Sequence, residues 1–322
     1  MNANTDILII GGGMAGLSAA TALAGSGQRI IVLDKGRGPG GRMAARRVEI
    51  GGKQVSFDHG AQYFTARDPA FQAAVAAWEA AGVAARWPAA GAEAWVGTPG
   101  MNACVKAMAE TLDVRWGVRA ERMVRTAEGW RVAAGEQSFT AATVLVAVPA
   151  EQAAALLAEV APDLAALAGS VRSAPCWAVM AGFDAPLDHA ADTFRSDTGP
   201  VSWAARNSAK PGRSGAETWV IHASPARSRE LIDLPKDEVA QVLLADFFAA
   251  TGTVPAAPQH LDAQRWLYAL PQAIKGKAAR FDPALNVGIA GDYVHSPRVE
   301  GAWLSGAALA QQVLQERLAS TS

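Results

Sequence analysis

Cysteine is scarce in this chain. Cys104 and Cys176 are the only two among 322 residues, too few and too isolated for a disulfide framework or a CxxC metal site. A reducing cytoplasm is the expected compartment. Surplus charge is also missing. The formal net charge is -1, which gives no broad electrostatic reason to bind nucleic acid or an anionic membrane. No apolar run approaches the roughly 18 to 20 residues needed to cross a bilayer. MNANTDILII has no basic stretch ahead of its apolar run, so it does not read as a signal peptide. The five histidines, His59, His189, His222, His260 and His295, show no ligand spacing, and no metal is expected. Neither G-x-S-x-G nor H-E-x-x-H occurs. Asp237 and Glu238 read as solvated charge on an amphipathic helix.

What is plentiful is apolar. Hydrophobic residues make up 50% and charged residues 18%, a balance that supports a substantial core in one large domain or two ordinary ones. DILII is a short apolar run before glycine, the pattern of a buried parallel strand. A helix over 14–25 and a strand over 29–33 complete a βαβ unit. Arg46 to Phe57 reads as a hairpin turning on a glycine pair, and Asp68-Pro69 as a helix start with Asp as N-cap. Helices are expected near 100–111, 150–158, 162–168 and 235–250, and short strands near 113–116, 119–125, 129–133 and 143–148. Strand-like runs with aromatics (CWAVMAGF, VSWAAR, ETWVIHAS, QRWLYAL) fill 173–270. NVGIAGD and the long helix after it return to the opening texture. The expected fold is therefore α/β. A Rossmann-type unit is drawn from 1–66, 100–172 and 271–322, and a mixed-sheet α+β unit from 67–99 and 173–270 is interleaved with it.

Gly11, Gly13 and Gly16 fit G-x-G-x-x-G between strand and helix. The first permits the tight turn, the second leaves room for a pyrophosphate, and the third lets the helix pack on the strand. Asp34 closes the second strand and is placed to accept both hydroxyls of an adenosine ribose, disfavouring a 2′-phosphate there. The fingerprint alone does not choose between FAD and NAD. The second cluster, GRGPGGR, does. Gly38, Gly40 and Gly41 let the backbone pass close to the longer FAD chain, and Arg42 can hold phosphate oxygens as a fork donor.

LDKGRGPGGR followed by FDHGAQYFTAR resembles the flavin-containing amine oxidase superfamily, most of all its renalase branch. GIAGDYVHSPRVEGAWLSGAALA is similar to the second FAD motif of that superfamily, and GTPGMNA, PCWAVMAGF, VSWAARNSAKPG, ETWVIHAS and QRWLYALP extend the likeness over nearly the whole chain. The implied fold is that of amine oxidases and p-hydroxybenzoate hydroxylase. The implied cofactor is FAD, held without a covalent bond. No cysteine follows Cys176, and His295 is a poor attachment point. The resemblance implies pyrophosphate contacts from Gly13, Met14 and Ala15, with Lys35 and Arg42 alongside. It places Gln62 and Tyr63 at the flavin, the Ala120 backbone at the adenine, Asp292 on the ribityl hydroxyls and Val299 under the pyrimidine end. Alanine at 120 departs from the usual valine. N–H groups from Val299 to Ala302, with Gly301 allowing close approach, would stabilise negative charge on reduced flavin.

The renalase branch is implied to oxidise isomeric dihydropyridines, the 2- and 6-dihydro forms of NAD(P) and α-NAD(P)H. Hydride passes to flavin and electrons to O2, giving β-NAD(P)+ and hydrogen peroxide. No proton need be abstracted, so no acid or base residue is assigned. Tyr63, Phe64, Thr65, Ala66 and Arg67 are the expected substrate segment, and the resemblance adds Trp177 and Tyr293. Trp203, Arg206, Asn207 and His222 alternate along candidate strands and are placed to line the same cavity. Packing remains the simpler reading for Trp203, Trp219, Trp266 and for His222 as a satisfied strand histidine. Two rivals stand beside this one. An amine oxidase or desaturase on the same scaffold would want a lysine near the flavin, and Lys210, Lys275 and Lys277 lie in Gly/Pro-rich or loop-like surroundings. A non-catalytic FAD-binding protein would hold flavin that no metabolite reduces.

Overall fold

The structure is a computed structural model describing residues 2–320. β1 (Asn2–Ile10) leads through a glycine turn into α1 (Met14–Leu23) and then β2 (Ile30–Asp34). Ile7 to Ile9 in β1 have no exposed surface, as expected of a strand with partners on both sides. A hairpin follows, β3 (Ala45–Ile50) and β4 (Lys53–Asp58), with Gly51 and Gly52 both at positive φ in its two-residue turn. α2 (Pro69–Ala80) starts as the sequence anticipates. The Asp68 carboxylate accepts from the Ala70 N–H at 2.9 Å, and Pro69 occupies the first helical position.

β5 (Ala84–Arg86) and β6 (Trp95–Gly97) form a small hairpin, then come α3 (Ala103–Ala109), β7 (Val114–Trp116), β8 (Arg122–Thr126), β9 (Gly129–Ala134) and β10 (Gln137–Val146). α4 (Ala150–Leu157) and α5 (Pro162–Gly169) lead to β11 (Ser173–Phe183), β12 (Thr193–Arg195), β13 (Val201–Arg206) and β14 (Glu217–Ala223). The chain closes with α6 (Pro225–Glu230), α7 (Lys236–Thr251), β15 (His260–Pro271), β16 (Arg280–Asp282), β17 (Val287–Ile289) and α8 (Val299–Ser320).

Two sheets organise the molecule. The first has eight strands: β16-β17-β10-β1-β2-β7 in order, with β9 antiparallel to the start of β10 and β8 beyond it. β1 runs parallel to both β10 and β2, and β17 parallel to β10, so four strand ends point the same way. The second sheet is antiparallel, β12-β13-β14-β11-β15. One face packs on α7, through Trp177, Val179, Phe183, Trp219, Ile221 and Phe247. Its other face meets the β3–β4 hairpin, through Met180 and Val220 against Phe57. No helix among the described residues is long and apolar enough to cross a membrane.

α8 returns from the far end of the chain to pack on α1. A Cβ placed at Gly306 would lie 2.0 Å from the Ala15 carbonyl oxygen, so the two helix backbones approach as closely as glycine permits. The Ser18 hydroxyl donates to the Trp303 carbonyl at 2.7 Å across the same contact. The turn after β1 and the start of α8 are thereby held beside one another.

Candidate active site

A cavity of about 2060 Å³ runs between the two sheets. Pockets for single drug-sized ligands span roughly 300 to 1,000 Å³, and this one is larger, with room for a dinucleotide. Its floor at one end is the carboxyl edge of the parallel strands, the place where open α/β sheets bind ligands. The three fingerprint glycines fit their roles. Gly11 sits at φ +114°, where a Cβ would lie 2.4 Å from the Ala147 carbonyl oxygen. A Cβ on Gly16 would lie 1.8 Å from the Gly11 carbonyl oxygen, so helix and turn touch through bare backbone. At Gly13 a Cβ would meet nothing within 4 Å and would fill cavity space instead. The middle glycine therefore leaves open the room a pyrophosphate needs.

Asp34 closes β2 at the same end. Its two carboxylate oxygens accept from the N–H groups of Gly12 and Gly36, both at 2.6 Å. Each oxygen keeps a second acceptor position, and Asp34 lines the cavity. Met14, Ala15, Lys35, Gly41 and Ala120 also line this end. Lys35 is tied to the Gln152 amide oxygen at 3.1 Å. Arg42 and Asp292, expected at separate parts of the cofactor, instead form one bidentate pair with contacts of 2.6 and 2.8 Å. That fork occupies the donors expected to hold phosphate and points Arg42 toward the middle of the cavity.

Pro297, Arg298, Val299 and Ala302 bring the start of α8 to the cavity wall. The Ala302 N–H is the first to find a helical partner, the Arg298 carbonyl, so the N–H groups ahead of it are free in the helical ladder. Glu300 in this turn faces away. Its carboxylate caps the Arg67 and Asp68 N–H groups at 2.6 and 2.7 Å.

Tyr63, Phe64, Thr65 and Arg67 line the cavity as expected. Trp266, read as core, lines it too. Its ring stacks on His59 at 5.3 Å and 14°, and its indole N–H donates to the His59 carbonyl. Cys176, Ser202 and Tyr268 complete the walls, none of them singled out by local pattern. Burial pushes the Cys176 thiol up to about 12, so it stays protonated. His222 faces the cavity from β14. Burial, with the Lys210 charge behind it, lowers it to about 4. Burial and Arg46 lower His59 to about 4 as well. Both rings are neutral at physiological pH.

Several expected residues lie elsewhere. Trp177 points to the α7 side of its sheet, where its indole N–H donates to the Leu231 carbonyl at 3.2 Å. Tyr293 is buried in the core beneath the first sheet, and burial raises its phenol well above the ordinary range. Trp203 sits one layer back, 5.4 Å from the Tyr63 ring. Arg206 is ion-paired with Asp192 and Glu217. Ala66 is outside the cavity lining, its carbonyl accepting from Gln72. Asn207 is fully buried and clips the β4 backbone, donating to the Ser56 carbonyl at 2.6 Å and accepting from the Asp58 N–H.

Gln62 is also turned away from the cavity. Its amide nitrogen donates to the Asp58 and Gly60 carbonyls and its oxygen accepts from Lys210 at 3.1 Å. Lys210 is no surface-loop lysine. Its side chain has no exposed surface and lies 3.2 Å from the Asp58 carboxylate, which Arg213 also contacts at 2.5 Å. Two buried cations thus share one buried anion directly behind the His59–Tyr63 segment. Arg213 already neutralises Asp58, so burial dominates at Lys210 and lowers it to about 8.

A family model described as flavin containing amine oxidoreductase matches residues 88–314, and one described as an NAD(P)-binding Rossmann-like domain matches residues 9–78. The chain belongs to the flavin-containing amine oxidoreductase family. It is an FAD-dependent oxidoreductase, and the open slot at Gly13 and the acceptor at Asp34 fit that cofactor. Among similar solved structures is an Exiguobacterium sp. 255-15 protein assigned as a protoporphyrinogen oxidase. It is 13% identical, with a TM-score of 0.76 over 97% of this chain and 99% of that one. Cyclohexylamine oxidase from Brevibacterium oxydans IH-35A is 14% identical at TM-score 0.71, covering 98% and 99%. Wild-type putrescine oxidase bound to putrescine is 15% identical at 0.67, covering 98% and 100%. At these identities the likeness is one of fold, the amine-oxidoreductase architecture anticipated from the motifs.

Proposed function

We propose that this flavoenzyme oxidises isomeric dihydropyridine nucleotides (2- and 6-dihydro-NAD(P) and α-NAD(P)H) to β-NAD(P)+, with O2 as final acceptor and hydrogen peroxide as product. It would then stand in the renalase branch of its family. The observation that supports this reading is the absence of a working base among the residues described at the second sheet's end of the cavity. His59 and His222 are lowered to about 4 and Cys176 is held as a thiol. An amine reaches the enzyme as an ammonium and must shed a proton before it can be oxidised. A dihydropyridine already carries its hydride and gains aromaticity on losing it.

When bound, FAD supplies the two-electron acceptor for that hydride. The chain's own residues position and exclude. In this reading Gly13, Met14 and Ala15 hold the pyrophosphate, Asp34 the ribose, the Ala120 backbone the adenine, and Asp292 with Arg42 the ribityl segment. The N–H groups at the start of α8, around Val299, hold negative charge at the pyrimidine end. Tyr63, Trp266 and Tyr268 wall the space in front, and Thr65 and Ser202 offer hydroxyls to a carboxamide. Cofactor binding is non-covalent, because a thiol that stays protonated is a poor nucleophile.

An amine substrate is the second reading, and the burial of Lys210 keeps it in view, although that lysine lies behind Gln62 and outside the cavity wall. Anaerobic mixing of the purified yellow protein separates the two. Bleaching of the flavin band by dihydropyridine isomers, with none by primary or secondary amines, is the expected result. Bleaching by an amine alone would overturn the proposal.

A further inference from the structure

The cavity lining is more basic than the chain. Ten Lys and Arg residues and four carboxylate residues line it, in a protein of net charge -1. Part of that charge is answered within the protein: Arg42 pairs with Asp292 and Arg46 with Asp262, and the Arg265 guanidinium donates to the Ile232 carbonyl and lies over Trp177. The distribution of charge is uneven. Of the four carboxylates, Asp34, Glu121 and Asp292 come from strand ends and turns of the first sheet and Glu151 from the first turn of α4. Among the arginines that line the cavity, Arg47, Arg67, Arg195 and Arg298 have no carboxylate partner among the described residues.

Three of these belong to one stretch of rim. The Arg195 guanidinium donates to the Tyr63 hydroxyl and lies over the Trp203 ring at 5.1 Å. Arg67 follows Tyr63 by four residues, and its N–H is held by Glu300, two residues beyond Arg298. The Arg67 and Arg298 guanidinium groups are exposed and make no hydrogen bond or ion pair among the described residues. An unpaired arginine at a cavity mouth presents a fork of donors that matches phosphate oxygens.

We propose that Arg67, Arg298 and Arg195 form a phosphate subsite at the mouth of the cavity, which takes the phosphoester arm of the substrate while its ring lies inside. This rests on the dihydropyridine-nucleotide reading and adds to it the residues that select an anionic tail and reject a cationic amine. Arg195, already bonded to Tyr63, holds the aromatic wall and the anion together, whereas Arg67 and Arg298 supply free charge.

The test uses FAD-loaded protein with free flavin removed. Inorganic pyrophosphate and ADP are titrated by calorimetry, with flavin absorbance followed to show that the cofactor stays in place. Wild type binds both probes, more weakly as salt rises. Arg67→Gln with Arg298→Gln weakens binding roughly tenfold or more, equivalent to about 1.4 kcal/mol or more. The same variant raises KM for 6-dihydro-NAD by a similar factor and leaves kcat within about twofold. Lysine at both positions restores most of the binding. Failure of either probe to bind wild type, or a Kd within twofold of wild type in the Gln variant, overturns the subsite. If the probes bind and the variant loses them while no dihydropyridine bleaches the flavin, the subsite stands and the substrate reading fails. If dihydropyridines bleach the flavin with a KM indifferent to salt and to both arginines, the reverse holds.

Discussion

Replacing Asp58 with Asn should strip a large part of the protein's stability. Asp58 has no exposed surface, and neither does the Lys210 side chain beside it, while that of Arg213 is 3% exposed. Its carboxylate also accepts from the Met101 N–H at 2.9 Å, tying the start of α3 to the end of β4. Asn keeps the shape and removes the one charge that, among the described residues, offsets two buried cations. Removing one member of a buried ion pair costs about 3 to 5 kcal/mol, because the partner is left uncompensated out of water. Against a typical total of roughly 5 to 15 kcal/mol, that is about a fifth or more of what holds a domain folded. The damage should spread to the cofactor, since His59, Gly60, Ala61 and Tyr63 line the cavity just beyond Asp58. Urea denaturation of the FAD-free protein, read by tryptophan fluorescence, gives the difference from the midpoint shift at constant m. Asp58→Asn combined with Lys210→Met should recover part of the loss, because it removes the surplus cation. A single variant within 1 kcal/mol of wild type with unchanged m would refute the account of this cluster.

Gly13→Val should abolish FAD binding while leaving the melting temperature of the cofactor-free protein in place, because a side chain there enters empty cavity rather than packed structure; flavin-to-protein absorbance and a thermal melt measure both, and retained flavin would contradict the cradle. Trp177→Ala should destabilise by about 3 to 5 kcal/mol, the usual range for emptying a buried aromatic site, with KM unchanged, since the ring faces α7; a KM effect at intact stability would return Trp177 to the pocket. Lys210 has a folded value of about 8 against an ordinary 10.5. Between those values the unfolded chain holds the extra proton, so its contribution to stability rises with pH across that window, by about 3 kcal/mol in all at roughly 1.4 kcal/mol per unit. Urea midpoints compared between wild type and Lys210→Met over the same window should show the rise only in wild type.

Much of the cofactor side was legible because its constraints are local. Gly11, Gly13, Gly16 and Asp34 fall within one βαβ unit, and each answers to a requirement a few residues away. The Asp68 cap and the Gly51-Gly52 turn were readable for the same reason. The substrate side was harder to read. β11 and β14 are covered on both faces, so apolar residues occupy both parities and the period-2 pattern does not say which side meets the cavity. Cys176 and Trp177 are adjacent and face opposite ways. Cys176 pairs across the strands with Trp266, and both line the cavity. Lys210 misled for another reason. Gly and Pro around it suggest a surface loop, and its counter-ion lies 152 positions earlier, at Asp58. A pairing at that separation leaves no mark on the local sequence.

The docking of α8 on α1 has a consequence for biosynthesis. The ribosome releases the dinucleotide fingerprint roughly three hundred codons before α8, and the groove stays half-walled until that helix emerges. If the start of α8 holds the flavin, capture must follow the synthesis of that helix. A cell short of riboflavin would then accumulate colourless molecules in which both halves of the groove are already built.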